Sequence, residues 1–233
     1  MRPNIPPVWA VVPVKPFADA KRRLATLLRA EQRDALARTM LHDVVNTLAR
    51  CRGLAGTIIV TRDAEAARIA ASFHAHVLHE GAPGLNAAIT MAATHLEVNS
   101  GGAALLVVPG DVPHISRGTV ETAIKALRNP GSAVLARAQR DGGTNLLGCN
   151  PASALLPNFG PGSYARHCAH AEAAGLRVHL PCDAELGLDL DEPADLHAFL
   201  ALNSQTFTHA LLRSWDIAAS LDEDIVARQR ISA

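Results

Sequence analysis

The chain has 233 residues, 48% of them hydrophobic, and its 22 Lys and Arg balance 22 Asp and Glu. That size allows one α/β core, and the balanced charge gives no long-range field for gathering nucleic acid or an anionic membrane, so a phosphate ligand would have to be held by local groups. The proline-rich start, Met1 to Pro7, lacks the apolar centre of a signal peptide, no apolar run approaches the ~18 residues of a membrane span, and four scattered cysteines without a C-x-x-C pair argue for a reducing cytoplasm rather than a zinc or disulfide framework.

Trp9-Ala-Val-Val-Pro-Val14 reads as a buried first strand, followed by a basic loop from Lys15 to Arg23. Leu36, Met40, Leu41, Val44 and Leu48 recur at helical spacing, with Gly53 as a stop. Thr57 to Thr61 is a strand, Asp63 caps a helix to about Ser72, and Ala75 to Leu78 is a short strand. After Gly81 and Gly84, Leu85 to Glu97 is helical, Ala103 to Val108 is a strand, and Ser116 caps a helix to Leu127. This alternation predicts a parallel sheet sandwiched by helices, with ligands outside the carboxyl ends of the strands. Ala133 to Arg137 and Asn145 to Cys149 flank the glycine-rich turn Asp141-Gly-Gly-Thr144, which suggests a small β insertion. Gly162 to Gly175 is a helix, Leu186 to Asp191 a strand, and Pro193 to Leu202 a helix with Pro193 in its first turn. Beyond Asn203 the character changes: Phe207, Leu211, Trp215 and Ala219 lie four apart, so 203–233 reads as a helical extension of a domain spanning 1–202. It would dock on the core or on a partner subunit, and an exposed Trp215 face would favour a homodimer.

The most informative stretch is Leu186-Gly-Leu-Asp-Leu-Asp-Glu-Pro193, where Asp189 and Asp191 stand two residues apart. On a strand they would share a face. Asp111 follows the apolar run Ala103 to Val108, so three acids on strand ends would suit a hard cation such as Mg²⁺ together with substrate phosphates. Acids at a helix start, favoured there by the dipole, are the plain alternative for Asp191. Lys15, Lys21, Arg22 and Arg23 follow the first strand, where a triphosphate would meet them, although a short charge run also suits a solvated face.

Gly142-Gly-Thr-Asn145 and Phe159-Gly-Pro-Gly-Ser163 offer small residues, N–H groups and hydroxyls to an anion, or are merely turns. Asn86, after Gly84, would bind a base or ribose, or cap the helix that follows. His74, His76 and His79 do not share one strand face, and His167, Cys168 and His170 lie on one helix without facing each other, so neither set makes a metal or nucleophile site. The chain also lacks G-x-G-x-x-G and the P-loop pattern after its first strand.

Val11-Val-Pro-Val-Lys15 with Lys21 and Arg22, Gly84-Leu-Asn86, Val108-Pro-Gly-Asp-Val-Pro113, Gly143-Thr-Asn145, Phe159 to Ser163 and Leu188 to Pro193 occur in the order found in one family. From about Trp9 to Leu200 the chain resembles the guanylyltransferases of coenzyme F420 biosynthesis, which act on 2-phospho-L-lactate, phosphoenolpyruvate or 3-phospho-D-glycerate. The resemblance implies a three-layer αβα nucleotidyltransferase fold of the glycosyltransferase-A type. It implies Mg²⁺ on Asp111, Asp189 and Asp191, and the phosphorylated acid on Thr144, Gly160 and Ser163. It also implies GTP facing Lys15, Lys21, Arg22, Gly84 and Asn86, with Lys15 and the three acids catalytic. The chain departs from the pattern in Pro-Gly-Asp-Val-Pro, where Asp-Leu-Pro is usual, and in a shortened turn before Thr144. The alternatives are a related nucleotidyltransferase acting on molybdopterin or a sugar-1-phosphate, and a non-catalytic nucleotide-binding module.

Overall fold

The computed structural model describes residues 6–81, 84–181, 186, 188–215 and 217. Strands β1 (Val8–Val14), β2 (Leu54–Thr61), β3 (His76–His79), β4 (Ala104–Val107), β5 (Ser132–Arg137), β6 (Thr144–Asn150) and β7 (Arg177–His179) form one seven-stranded sheet in the order β3-β2-β1-β4-β6-β5-β7. β1 pairs in parallel with β2 and β4, β2 with β3, and β5 with β7. β6 runs antiparallel between β4 and β5, so the expected β insertion is built into the sheet itself.

Period-two alternation decides the two faces. Val8, Ala10, Val12 and Val14 of β1, with Ala104 and Leu106 of β4, pack into one core. That core also takes the apolar sides of α1 (Ala30–Ala49), α2 (Ala64–Ser72), α4 (Arg117–Leu127), α6 (Pro193–Leu200) and α7 (Phe207–Ser214). Val11 of β1 and Leu105 and Val107 of β4 face the other way, against α3 (Leu85–Ser100) and α5 (Ser163–Ala173). The result is a three-layer αβα arrangement with a mostly parallel sheet. No helix among the described residues is long and apolar enough to cross a membrane.

The local signals act as their chemistry requires. Asp63 accepts from the N–H groups of Glu65 and Ala66, and Ser116 from that of Thr119, which satisfies donors that have no partner within their helices. The acidic run is the exception. Leu186 lies in a helical turn and residues 188–191 are irregular rather than a strand. Among the described residues, the segment's link to the β4 side is one backbone hydrogen bond, from Leu190 N–H to the Asp111 carbonyl at 3.3 Å. Apolar anchoring replaces a ladder, since Leu186 and Leu190 are both buried.

The tail helix also corrects an expectation. Its buried face carries Thr208, His209 and Leu212, whereas Phe207 is exposed and Trp215 is half-buried against the core. Ala219 lies outside the described residues. The cause is Asp43 of α1, whose buried carboxylate accepts from the N–H of Phe207 at 3.0 Å, the N–H of Thr208 at 2.8 Å and the Thr208 hydroxyl at 2.6 Å. A side chain from a distant helix thus satisfies the first turn of α7 and fixes its rotation on α1. Asp43→Ala leaves those donors buried without a partner and is expected to lower unfolding stability by about 2–4 kcal/mol in urea titrations. A change within about 0.5 kcal/mol would show that α7 docks without this clamp.

Candidate functional site

β1 leads toward β2 on one side and lies beside β4 on the other, so the sheet changes winding direction at the β1/β4 pair. The crevice outside the carboxyl ends of these strands is where open α/β sheets bind ligands. A cleft occupies that place, and its walls include Lys15, Lys21, Glu80, Gly110, Asp111 and Asp191. Two short 3-10 turns, Phe17–Asp19 and Arg22–Leu24, carry the basic loop around its rim, with Phe17 and Leu24 buried as anchors.

Lys21 projects from this loop between two acids brought together by the fold. Its Nζ lies 2.8 Å from Asp111 Oδ2 and 2.7 Å from Asp191 Oδ1. Burial opposes its charge, but the two carboxylates outweigh that cost and raise its pKa above the ordinary lysine value. Asp191 is the mirror case: burial favours its neutral form, yet Lys21, Arg140 and Arg23 hold its pKa below the usual value. Asp189 is held above it, first by burial and then by the Asp111 and Asp191 charges. Asp111, in the turn after β4, and Asp191 thus share Lys21, and Asp189 lies near enough to feel both charges, although residues 188–191 are irregular and not a strand end.

Side-chain hydrogen bonds place the acidic segment. Asn145 of β6 donates to the Leu186 carbonyl at 2.9 Å and to Asp189 Oδ1 at 3.4 Å. Asp195 accepts from the N–H groups of Asp191 and Glu192 at the start of α6. Arg140, which the sequence reading passed over, reaches across from the β5–β6 turn. It lies 3.8 Å from Asp189, 3.6 Å from Asp191, 2.6 Å from Glu192 and 3.7 Å from Asp195. Its position directly before Asp141-Gly-Gly was the signal available, since a cation beside a glycine turn makes an anion cradle.

Arg140, Arg137, Gly142, Gly162 and Tyr164 line a second, open pocket beside the acids. Behind it the two glycine turns are locked together: the Gly162 N–H donates to the Asp141 carbonyl at 3.2 Å and the Tyr164 N–H to the Gly142 carbonyl at 3.1 Å. Gly160 and Gly162 have φ of +139° and +66°, conformations open to glycine at little cost. Thr144 and Ser163 are buried, with their hydroxyls 3.0 Å apart, so in this arrangement they brace the turns from inside. Asn86 is tied to the same turns. Its amide oxygen accepts from the Phe159 N–H at 2.7 Å and its amide nitrogen donates to the Phe159 carbonyl at 3.3 Å. Both ends are engaged on the turn from Phe159 to Ser163, so in this arrangement Asn86 braces that turn.

Gly84, with φ of +126°, precedes α3 and gives its N–H to Glu80. Arg22 is exposed, pairs with Asp19 and is not part of the cleft wall, so the structure keeps Lys15 and Lys21 of the basic loop at the site and leaves Arg22 outside it. Burial pushes the Cys51 and Cys149 thiols up to about 12, so neither is a thiolate at neutral pH.

His167 is a structural group. Its Nε2 accepts from the Asn158 N–H at 2.9 Å, which puts the ring proton on Nδ1, 2.9 Å from the Thr144 hydroxyl. Burial, with Arg166 and His170 nearby, lowers its pKa from 6.5 to about 4. An unfolded chain therefore binds a proton below pH 6.5 that the native ring refuses until about pH 4, so stability falls as pH falls through this window. The loss amounts to at most about 3 kcal/mol. His167→Gln is expected to flatten the pH dependence of urea unfolding across that window, and an unchanged slope in the variant would remove His167 as its source.

Comparison with known proteins agrees with this geometry. A family model described as "Guanylyl transferase CofC like" matches residues 8–233, and so extends past Leu200, where the motif resemblance stopped. A phosphoenolpyruvate guanylyltransferase of Roseiflexus castenholzii is 37% identical over 189 residues, covering 81% of this chain and 86% of that protein. A 3-phospho-D-glycerate guanylyltransferase of Phenylobacterium zucineum is 37% identical over 191 residues, covering 80% and 86%. Among solved structures, a Desulfovibrio desulfuricans G20 protein provisionally described as a nucleotide-diphospho-sugar transferase superposes with a TM-score of 0.75 at 19% identity, covering 92% of this chain and 97% of that one. A nucleotidyl transferase from Methanothermobacter thermautotroptrophicus gives 0.58 at 17% identity, covering 89% and 98%, which shows a shared fold. With its cleft at the β1/β4 switch and its acids facing the basic loop, the chain is a nucleotidyltransferase and belongs to the CofC-like guanylyl transferase family.

Proposed function

We propose that this enzyme transfers GMP from GTP to a small phosphorylated three-carbon acid and releases diphosphate, in the route to coenzyme F420 that the family resemblance implies. The observation that carries the proposal is the meeting of Asp111 and Asp191 with Lys21 at the β1/β4 crevice, with Asp189 close enough to feel both acids, beside a second pocket whose lining includes Arg137 and Arg140. The first site suits a triphosphate and the second an acidic acceptor. Phosphoenolpyruvate and 3-phospho-D-glycerate are the candidates suggested by the relatives' names, and 2-phospho-L-lactate by the motif resemblance. A reducing cytoplasm suits the scattered cysteines.

A phosphate monoester with a second pKa near ~6 is already largely ionised at neutral pH and needs no general base. One of its oxygens attacks the α-phosphorus of GTP, the bond from that phosphorus to the bridging oxygen breaks, and diphosphate leaves with the electron pair. The protein's part is to align the reactants and offset charge, with Lys15 and Lys21 on the triphosphate and Arg137 and Arg140 on the acceptor. Gly142 and Gly162 line the pocket assigned to the acceptor, with Thr144 and Ser163 bracing it from behind. Asp111, Asp189 and Asp191 have the hard oxygen donors that Mg²⁺ takes, and the ion would supply charge neutralisation at the phosphates. Among the described residues, no three acid, histidine or cysteine side chains close around one point in the present arrangement, and Lys21 pairs with both Asp111 and Asp191.

Incubation with GTP, Mg²⁺ and each of the three acids is expected to release diphosphate with at least one of them, while GTP binding without release from any acid would contradict the transfer. Asp189→Asn keeps the side-chain shape and is expected to lower kcat by roughly a hundredfold or more. Near-normal turnover in a folded variant would remove Asp189 from the machinery.

A further inference from the structure

We propose that Lys21 is the resident counter-cation of the site: its ammonium holds Asp111 and Asp191 until a divalent cation displaces it, and it then passes to the nucleotide's phosphates, so that metal and nucleotide bind cooperatively. The inference rests on the metal assignment made under the proposed function and adds a mechanism to it.

Three observations converge on Lys21. Its ammonium contacts both acids at 2.7–2.8 Å and its side chain is only 5% exposed, so no further cation can take the same position while it stays. Its backbone is left-handed, with φ 53° and ψ 36°, a conformation that residues with a side chain adopt rarely and that surrounding contacts must enforce. The loop that enforces it is pinned on either side by buried Phe17 and Leu24, so the backbone position of Lys21 is built in, while its four-carbon stem has the rotatable bonds to carry the ammonium to a second anion once the two aspartates are otherwise paired. Arg140 does not compete for this role. Its shortest contact is with Glu192, and it lies 3.6 Å or more from Asp189 and Asp191.

Charge then dictates the exchange. A divalent ion between Asp111 and Asp191 repels the ammonium at contact distance, so the two alternate. A displaced, buried ammonium needs another anion, and Lys15 on the same cleft wall marks where a polyphosphate would lie. Metal without nucleotide strands the lysine, and nucleotide without metal must pull it away from two carboxylates. Each ligand therefore improves the other's affinity by the same factor.

The test is Mn²⁺ binding to nucleotide-free protein, followed by electron paramagnetic resonance of the free ion, in the wild type, Lys21→Met and Lys21→Arg. Removing the internal competitor is expected to tighten Mn²⁺ binding roughly tenfold in Lys21→Met, whereas Lys21→Arg keeps a cation and gains nothing comparable. Thermal unfolding of Lys21→Met should respond to Mn²⁺ at correspondingly lower concentration. Equal or weaker Mn²⁺ binding in a cooperatively folding Lys21→Met overturns the exchange while leaving the metal site standing. Absence of Mn²⁺ binding from the wild type and every variant, with or without GTP, removes the metal site and the exchange together. If Lys21→Met does not fold, Lys21→Gln carries the same comparison.

Discussion

Holding like charges near one another is the constraint around which the site is built. Asp111 lies after β4, while Asp189 and Asp191 lie about 80 residues later, before α6. Two carboxylates 4 Å apart repel by roughly 4 kcal/mol at a protein-like effective dielectric. The chain offsets this with Lys21 on one side and Arg140 on the other, and with backbone placement that leaves the acids no retreat. Leu186 and Leu190 are buried, Asn145 holds the Leu186 carbonyl, and Asp195 holds the N–H groups of Asp191 and Glu192. Perturbed carboxylates in a cleft are candidates for a functional site, and the pKa values of Asp189 and Asp191 are pushed in opposite directions within three residues.

The proposed acceptor side follows a different principle. Its frame is rigid and closed: His167 braces Thr144, Thr144 meets Ser163, and Asn86 clamps the backbone of Phe159. The long groups in its wall are Arg137, at the end of β5, and Arg140, in the turn after it, which also pairs with the acidic segment. A fixed glycine cradle with adjustable guanidinium groups suits short acids that carry a phosphate and a carboxylate at different spacings. That arrangement is consistent with relatives named for different three-carbon acids.

Much of the fold was legible because its signals are local. Asp63 and Ser116 announce helix starts by the hydrogen bonds they can make, and Leu36 to Leu48 show a helical period. What escaped was set by distant partners. Leu188 to Asp191 alternates like a strand, but the side chains of Asn145 and Asp195 take the backbone contacts a ladder would have made. β7 is three residues long, too short for a periodic signal. The tail's apolar spacing pointed to Phe207 and Trp215, whereas Asp43, 165 residues away from Thr208, turned the helix to bury Thr208 and Leu212. In the candidate site, residue types and order singled out the three acids and the basic loop, but nothing local showed that Lys21 would sit between Asp111 and Asp191, at separations of 90 and 170 residues.

The account turns on one position in space, the gap between Asp111 and Asp191. Anomalous diffraction from crystals grown with Mn²⁺ and a non-hydrolysable GTP analogue tests it directly. The account predicts a manganese peak in that gap, with the Lys21 ammonium withdrawn onto the nucleotide's phosphates. Manganese bound elsewhere with Lys21 still bridging the two aspartates would contradict it.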